Sequence, residues 1–153
     1  MKHAIIDFEV DPNRSAGPLR FGMTAAQVRA QLGSQAGAGE PSTPRDTFGD
    51  LGIRVHYGPH DLAEAFEFRG PASPTFQGRP LLRQRFADLE AWLLSIDPGL
   101  KLEHSGLTSL RFGIRLYAAS ARKSPSFPVE SVTVFAPEYG RRYIASILPP
   151  PPR

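Results

Sequence analysis

A short stretch that occurs twice constrains this chain more than anything else in its sequence. Thr47-Phe48-Gly49-Asp50-Leu51-Gly52-Ile53-Arg54-Val55 aligns with Thr108-Ser109-Leu110-Arg111-Phe112-Gly113-Ile114-Arg115-Leu116. The Gly-Ile-Arg centre is identical, and Leu51/Phe112 and Val55/Leu116 are like for like. The next segment follows suit, Glu64-Ala65-Phe66-Glu67-Phe68 against Glu130-Ser131-Val132-Thr133-Val134. Each hairpin pattern is preceded by a helical pattern and a long loop. Recurrence of one element order is the signature of repeated units that bury their apolar faces together. The expectation is therefore an α+β fold: two helix–hairpin repeats with an antiparallel sheet covered on one face by helices. Residues 1–147 would form a single domain of two similar halves, about 1–80 and 81–147, followed by a Pro-rich tail at 148–153.

Local signals fill in the elements. His3–Glu9 alternates and predicts a first strand. In Leu19-Arg20-Phe21-Gly22-Met23-Thr24-Ala25-Ala26-Gln27-Val28, Thr24 is a helix N-cap and Gln27 completes a capping box. Met23 and Val28 take the hydrophobic-staple positions, and Gly33 closes a helix over Ala25–Leu32. Ser34–Asp46 has loop composition. Leu51–Tyr57 and Leu62–Arg69 flank the turn Gly58-Pro59-His60-Asp61 as a hairpin, with a short strand at Thr75-Phe76. Phe86, Leu89, Leu93 and Ile96 make one apolar stripe, widened by Trp92, on a helix from Arg85 to Ile96 that Asp97-Pro98-Gly99 ends. Leu110–Ala118 and Val129–Phe135 predict two more strands, and Arg142–Ile147 a last short one. Leu148-Pro149-Pro150-Pro151-Pro152-Arg153 cannot join a ladder.

Strand phase then assigns faces. Ile53, Val55, Tyr57, Phe66, Phe68, Ile114, Leu116, Val132 and Val134 should point to the core. The opposite face carries Arg54, His56, Glu67, Arg69, Arg115, Tyr117, Thr133 and Phe135. Arg and aromatic side chains are the types that anchor protein interfaces. Arg54, His56, Glu67, Arg69, Arg115, Tyr117 and Phe135 are thus the candidate partner-binding residues.

Catalytic chemistry leaves little trace. The chain has no cysteine, which removes disulfides, thiolate metal sites and a cysteine nucleophile, and fits a reducing compartment. His56 and His60 are four apart, but Gly58-Pro59 between them makes this a turn and not a metal-binding helix face. No phosphate loop or Gly-x-Ser-x-Gly elbow occurs. Glu64 and Glu67 fall on opposite faces of a strand, so they cannot act as a glycosidase pair. No metal, cofactor or catalytic residue is expected. The net charge of +3 comes from 15 Arg and 3 Lys dispersed along the chain, unlike the basic stripe of a nucleic-acid binder. Met1-Lys2-His3-Ala4-Ile5-Ile6-Asp7 lacks the apolar core of a secretion signal, and no run is long enough to span a membrane. A cytoplasmic protein is expected, with no membrane or nucleic-acid partner.

The segment Phe21–Val28, followed by Leu32-Gly33, resembles the helix entry of the β-lactamase inhibitory protein family. A similar motif occurs in the small lipoprotein of the outer-membrane β-barrel assembly machinery. The resemblance implies a tandem-repeat fold that binds its target across a sheet face, and also likens the chain to bacterial toxin immunity proteins. It spans about a dozen residues, the second half carries no Phe-Gly-Met-Thr copy, and the family's cysteines are missing. Those departures argue against β-lactamase as the target. The expected function is a non-catalytic protein-binding domain, an immunity protein that occludes a cognate toxin or effector. Its positive charge disfavours a basic nuclease as that toxin. The alternatives are a small-ligand or assembly-binding housekeeping domain and an enzyme without a sequence motif.

Overall fold

The computed structural model describes residues 8–33, 45–124 and 126–144, the side chain of Tyr143 excepted. Twelve strands and three helices follow in chain order. The first half holds β1 (Phe8–Asp11), β2 (Ser15–Ala16), β3 (Leu19–Arg20), α1 (Ala25–Leu32), β4 (Arg45–Phe48), β5 (Ile53–Tyr57) and β6 (Ala63–Phe68). Then come β7 (Pro74–Phe76), β8 (Arg79–Pro80), α2 (Phe86–Ile96), β9 (Lys101–Glu103), β10 (Gly106–Ser109), β11 (Ile114–Tyr117), β12 (Ser131–Phe135) and α3 (Pro137–Tyr139). The strands make two sheets, ordered β3-β2-β1-β7-β8 and β4-β5-β6-β12-β11-β10-β9.

This corrects the expected α+β arrangement. The chain is mostly β, its helices are short, and the inner face of the large sheet is met by a second sheet as well as by helices. The reason lies in element length. Strands of two residues, such as β2, β3 and β8, carry no alternation for a pattern reading to detect. They are set instead by the tight turns at Gly17-Pro18 and Gln77-Gly78, where Gly17, Gln77 and Gly78 all have positive φ. The small sheet is also not wholly antiparallel, since β1 pairs with β7 in parallel.

Individual elements shift accordingly. Arg45 and Asp46, expected in a loop, open the edge strand β4. Gly49–Leu51 forms a 3₁₀ turn, and β5 starts only at Ile53. The strand expected over Leu110–Ala118 begins only at Ile114, as β11, and residues 110–113 are the bend that joins it to β10. Arg142 and Ile144 belong to a wide helical turn, Gly140–Ile144, and not to a strand. Residues 1–7, 34–44 and the tail from 145 onward lie outside the described residues.

The repeated segments fold alike. Thr47 stands opposite Arg54 and Phe48 opposite Ile53, as Thr108 stands opposite Arg115 and Ser109 opposite Ile114. At the bend Gly52 and Gly113 adopt φ 71° and 67°. Their carbonyls accept from the amides of Arg69 (2.7 Å) and Phe135 (2.8 Å). The two units join through β6 and β12, antiparallel, with Glu67 opposite Thr133, so a local two-fold axis passes between those residues. The row Phe48, Ile53, Phe68, Val132, Leu116, Leu107 is buried throughout, and the axis maps it onto Ser109, Ile114, Val134, Phe66, Val55, Asp46.

The helices enter in matching ways too. Thr24 caps α1 in a complete capping box, accepting from the Gln27 amide at 3.2 Å. Just before it, the Gly22 amide donates to Ala63 and the Ala63 amide to Met23 (2.9 and 2.8 Å). Ahead of α2, Arg83 donates to Val129 and Val129 to Gln84 (3.0 and 2.8 Å). Leu82-Arg83-Gln84-Arg85 therefore occupies the place of Phe21-Gly22-Met23-Thr24, with Arg83 in the left-handed region at φ 63° where the first half has glycine. Val28 and Leu32 of α1 join Phe86, Leu89 and Leu93 of α2 in one core with Phe8, Val10, Leu19 and Phe76 of the small sheet. Phe8 packs on Phe68 and Phe21 on Phe66, each at 5.1 Å between ring centres.

A side chain at Gly52 would lie 2.1 Å from the Arg69 carbonyl oxygen, and one at Gly113 would lie 2.4 Å from that of Phe135. Left-handed strain and the clash act together, so Gly52→Ala and Gly113→Ala should each cost about 2–4 kcal/mol. Gly49→Ala, at ordinary φ and facing open space, should cost less than about 0.5 kcal/mol. Urea unfolding of the three variants checks this; equal losses would show that the bends are not the tight points.

Candidate functional site

The outer face of the large sheet is built by the residues between the buried rows. Thr47, Arg54, Glu67, Thr133, Arg115 and Thr108 lie side by side across six strands. A second outer row contains Tyr117 beside Ser131, with Arg69 on the neighbouring strand's end. Arg54 is half-buried, 3.5 Å from Glu67. Arg115 pairs with Glu103, which also accepts from the Thr108 hydroxyl, so a carboxylate from the edge strand β9 fixes that arginine. Tyr117 is 43% exposed, and Arg69 is exposed with no partner for its guanidinium among the described residues.

Part of this face is covered. After β12 the chain reverses at Pro137 and lays α3 and the Gly140–Ile144 turn back across β6 and β12. Ala65, Phe135 and Ile144 form a small second core with Tyr139 against it. Arg142 holds the segment down through Glu64 at 2.7 Å, and the Ala136 amide donates to the Glu64 carbonyl at 2.8 Å. Phe135 is 1% exposed, which takes it off the surface available to a partner. His56 lies half-buried under the same segment, 5.9 Å from the Tyr139 ring. The sequence carried a signal for this reversal, Pro137 directly after the strand and Gly140 three residues on, but the apolar Tyr143-Ile144 that follows looks like strand material.

Of the seven candidates, Arg54, Glu67 and Arg69 come together. With Thr47, Gly49, Gly52, Ile53 and Gly70 they line an open groove of about 160 Å³ at one end of β4, β5 and β6. Arg115 and Tyr117 lie on β11, two strands beyond β6, and belong to the same face but not to the groove. Sequence reasoning missed Glu103 and the glycines of the groove floor. It also missed Arg83, whose Nη1 would sit 3.3 Å from a side chain at Gly70.

Two further polar clusters support the frame. Asp46, 2% exposed, accepts from Arg29 Nη2 and from the Tyr57 hydroxyl, both at 2.8 Å, and ties α1 to the edge of the sheet. Burial and that hydrogen bond push the Tyr57 hydroxyl well above its ordinary titration range. Asp97, which caps α2, accepts from Ser109 at 2.7 Å, and Ser109 in turn accepts from the Phe112 amide at 3.0 Å. Among the described residues, no three His, Asp or Glu side chains are grouped to hold a metal, and no helix is long and apolar enough to cross a membrane.

His56 titrates below its ordinary range, chiefly because burial penalises the imidazolium; Arg45 and Arg54 add to this and Glu67 opposes it. A depressed pKa means that the unfolded chain takes up the proton first as pH falls. Stability is then fully present above about pH 6.5 and declines below it. Thermal melts at pH 7.5 and 5.0 should show a smaller acid loss for His56→Gln than for the wild type, and equal losses would remove His56 as the cause. Comparison with protein-family models, with curated proteins and with solved structures finds no match to this chain.

Proposed function

We propose that the chain is a non-catalytic protein-binding domain that engages its partner with the uncovered part of the outer sheet face. The observation that carries this reading is the placement of Arg69 and Tyr117. Both stand exposed on a rigid sheet, flanked by Arg54 and Arg115, which carboxylates already hold in place. Arg54 and Arg115, held in this way, lose little freedom on binding, while Arg69 and Tyr117 beside them offer the exposed surface. The specific form proposed is occlusion of a toxin or effector in the cytosol, where a chain without cysteine keeps its chemistry under reducing conditions. The resemblance of Phe21–Val28 to inhibitory proteins points the same way.

The test is a pull-down with the tagged chain from its native cytosol, followed by affinity measurements on any stoichiometric partner. Tyr117→Ala should weaken such a partner at least tenfold, about 1.4 kcal/mol, without lowering the melting temperature. The partner should also be toxic when expressed alone. Affinity untouched by Tyr117→Ala and Arg115→Ala would show that the outer face is not the binding surface.

A further inference from the structure

The local two-fold axis relates two grooves, and they differ in a way that points to a ligand. The second groove, about 220 Å³, is lined by Leu110, Phe135, Pro137, Gly140 and Arg141. Under the axis Leu110 corresponds to Gly49, Phe135 to Arg69 and Ala136 to Gly70. In the second half the chain seats its own Gly140 against Phe135 and Leu110. In the first half the chain leaves β6 for β7 in the other sheet, and among the described residues no segment folds back over the corresponding place. At the corresponding positions the second groove has Leu110 and Phe135, and the first has Gly49 and Arg69.

We infer that the open groove receives a side-chain carboxylate from an acidic segment of a protein partner, seated between Arg54 and Arg69. Charge decides the ligand class. Arg54 and Arg69 line the groove and Arg83 lies against Gly70 at its rim, while Glu67 is the one carboxylate among the described lining residues and already faces Arg54 at 3.5 Å. An acid entering here meets an excess of positive charge and a guanidinium fork that matches a carboxylate with two parallel hydrogen bonds. Size narrows the class further. A space of about 160 Å³ is well below the ~300–1,000 Å³ of pockets that enclose a whole small molecule, and suits one side chain of a larger partner. The inference rests on the protein-binding reading and adds to it the chemistry of the contact.

The experiment is an NMR titration of the full chain with a Gly-Glu-Asp-Glu-Gly peptide, acetylated and amidated so that only side-chain carboxylates are offered. Saturable shifts are expected at the Gly49, Gly52 and Gly70 amides, weakening with added salt. Arg69→Ala should weaken them at least tenfold and Arg69→Glu should abolish them. Lys123→Ala, which removes a positive charge from the loop between β11 and β12, outside the groove lining, should leave them unchanged. Equal losses in Arg69→Ala and Lys123→Ala would reduce the effect to net charge and overturn the inference. Inorganic phosphate binding the same amides more tightly than the peptide would overturn it in favour of a phosphate ligand. A captured partner that needs Tyr117 but tolerates Arg69→Ala overturns the groove and leaves the outer-face reading standing. Peptide binding at the groove, with a partner indifferent to Tyr117→Ala, upholds the groove and removes Tyr117 from the contact.

Discussion

Everything in this molecule depends on the antiparallel joint between β6 and β12. It turns a three-stranded and a four-stranded ribbon into one sheet with continuous buried rows from Phe48 to Leu107 and from Asp46 to Ser109. The joined face is broad enough for both helices and the small sheet to pack on. The joint also fixes the outer face, since side chains alternate strictly along paired strands. Once Phe66, Phe68, Val132 and Val134 point inward, Glu67 and Thr133 must point out.

How much of this was legible in the sequence follows from how far each signal extends. Thr24 and Gln27 announce the capping box within four residues, and the stripe from Phe86 to Leu93 announces α2. The repeated Gly-Ile-Arg is visible because it marks a bend with a steric requirement, a left-handed residue whose missing side chain admits a carbonyl. Of the small sheet only parts were visible, the short strand at Thr75-Phe76 and the end of the expected first strand at Phe8-Glu9, because its other strands are two residues long and its parallel pair, β1 with β7, joins residues some 66 positions apart through Glu9 and Thr75. The matching helix entry at Leu82–Arg85 shares backbone hydrogen bonds with Phe21–Thr24 but no side-chain chemistry, so no alignment of residue types finds it. On the candidate face, phase alone placed Arg54, Glu67, Arg69 and Tyr117. Phase says nothing of what the chain does after the last strand, and that is why Phe135 is buried.

The covered and open ends of the outer face show how one scaffold gives different surfaces. The bends at Gly52 and Gly113 are alike, and so are the strands beside them. The difference is made by Arg69 against Phe135, and by whether the chain after the strand turns away or turns back. A backbone that tolerates either outcome leaves recognition to a few side chains, while the buried rows keep their packing.

The pairing of Glu67 with Thr133 has one more consequence, for the choice of strand partner. A ribbon ending in β6 has an exposed edge, and the best template for that edge is another β6. Two such ribbons meeting about the same axis would set Glu67 against Glu67, like charges directly opposite, which is unfavourable across a strand pair. Thr133 removes that repulsion. The mismatch on the axis thus favours β12 over a second copy of β6 as the partner for that edge.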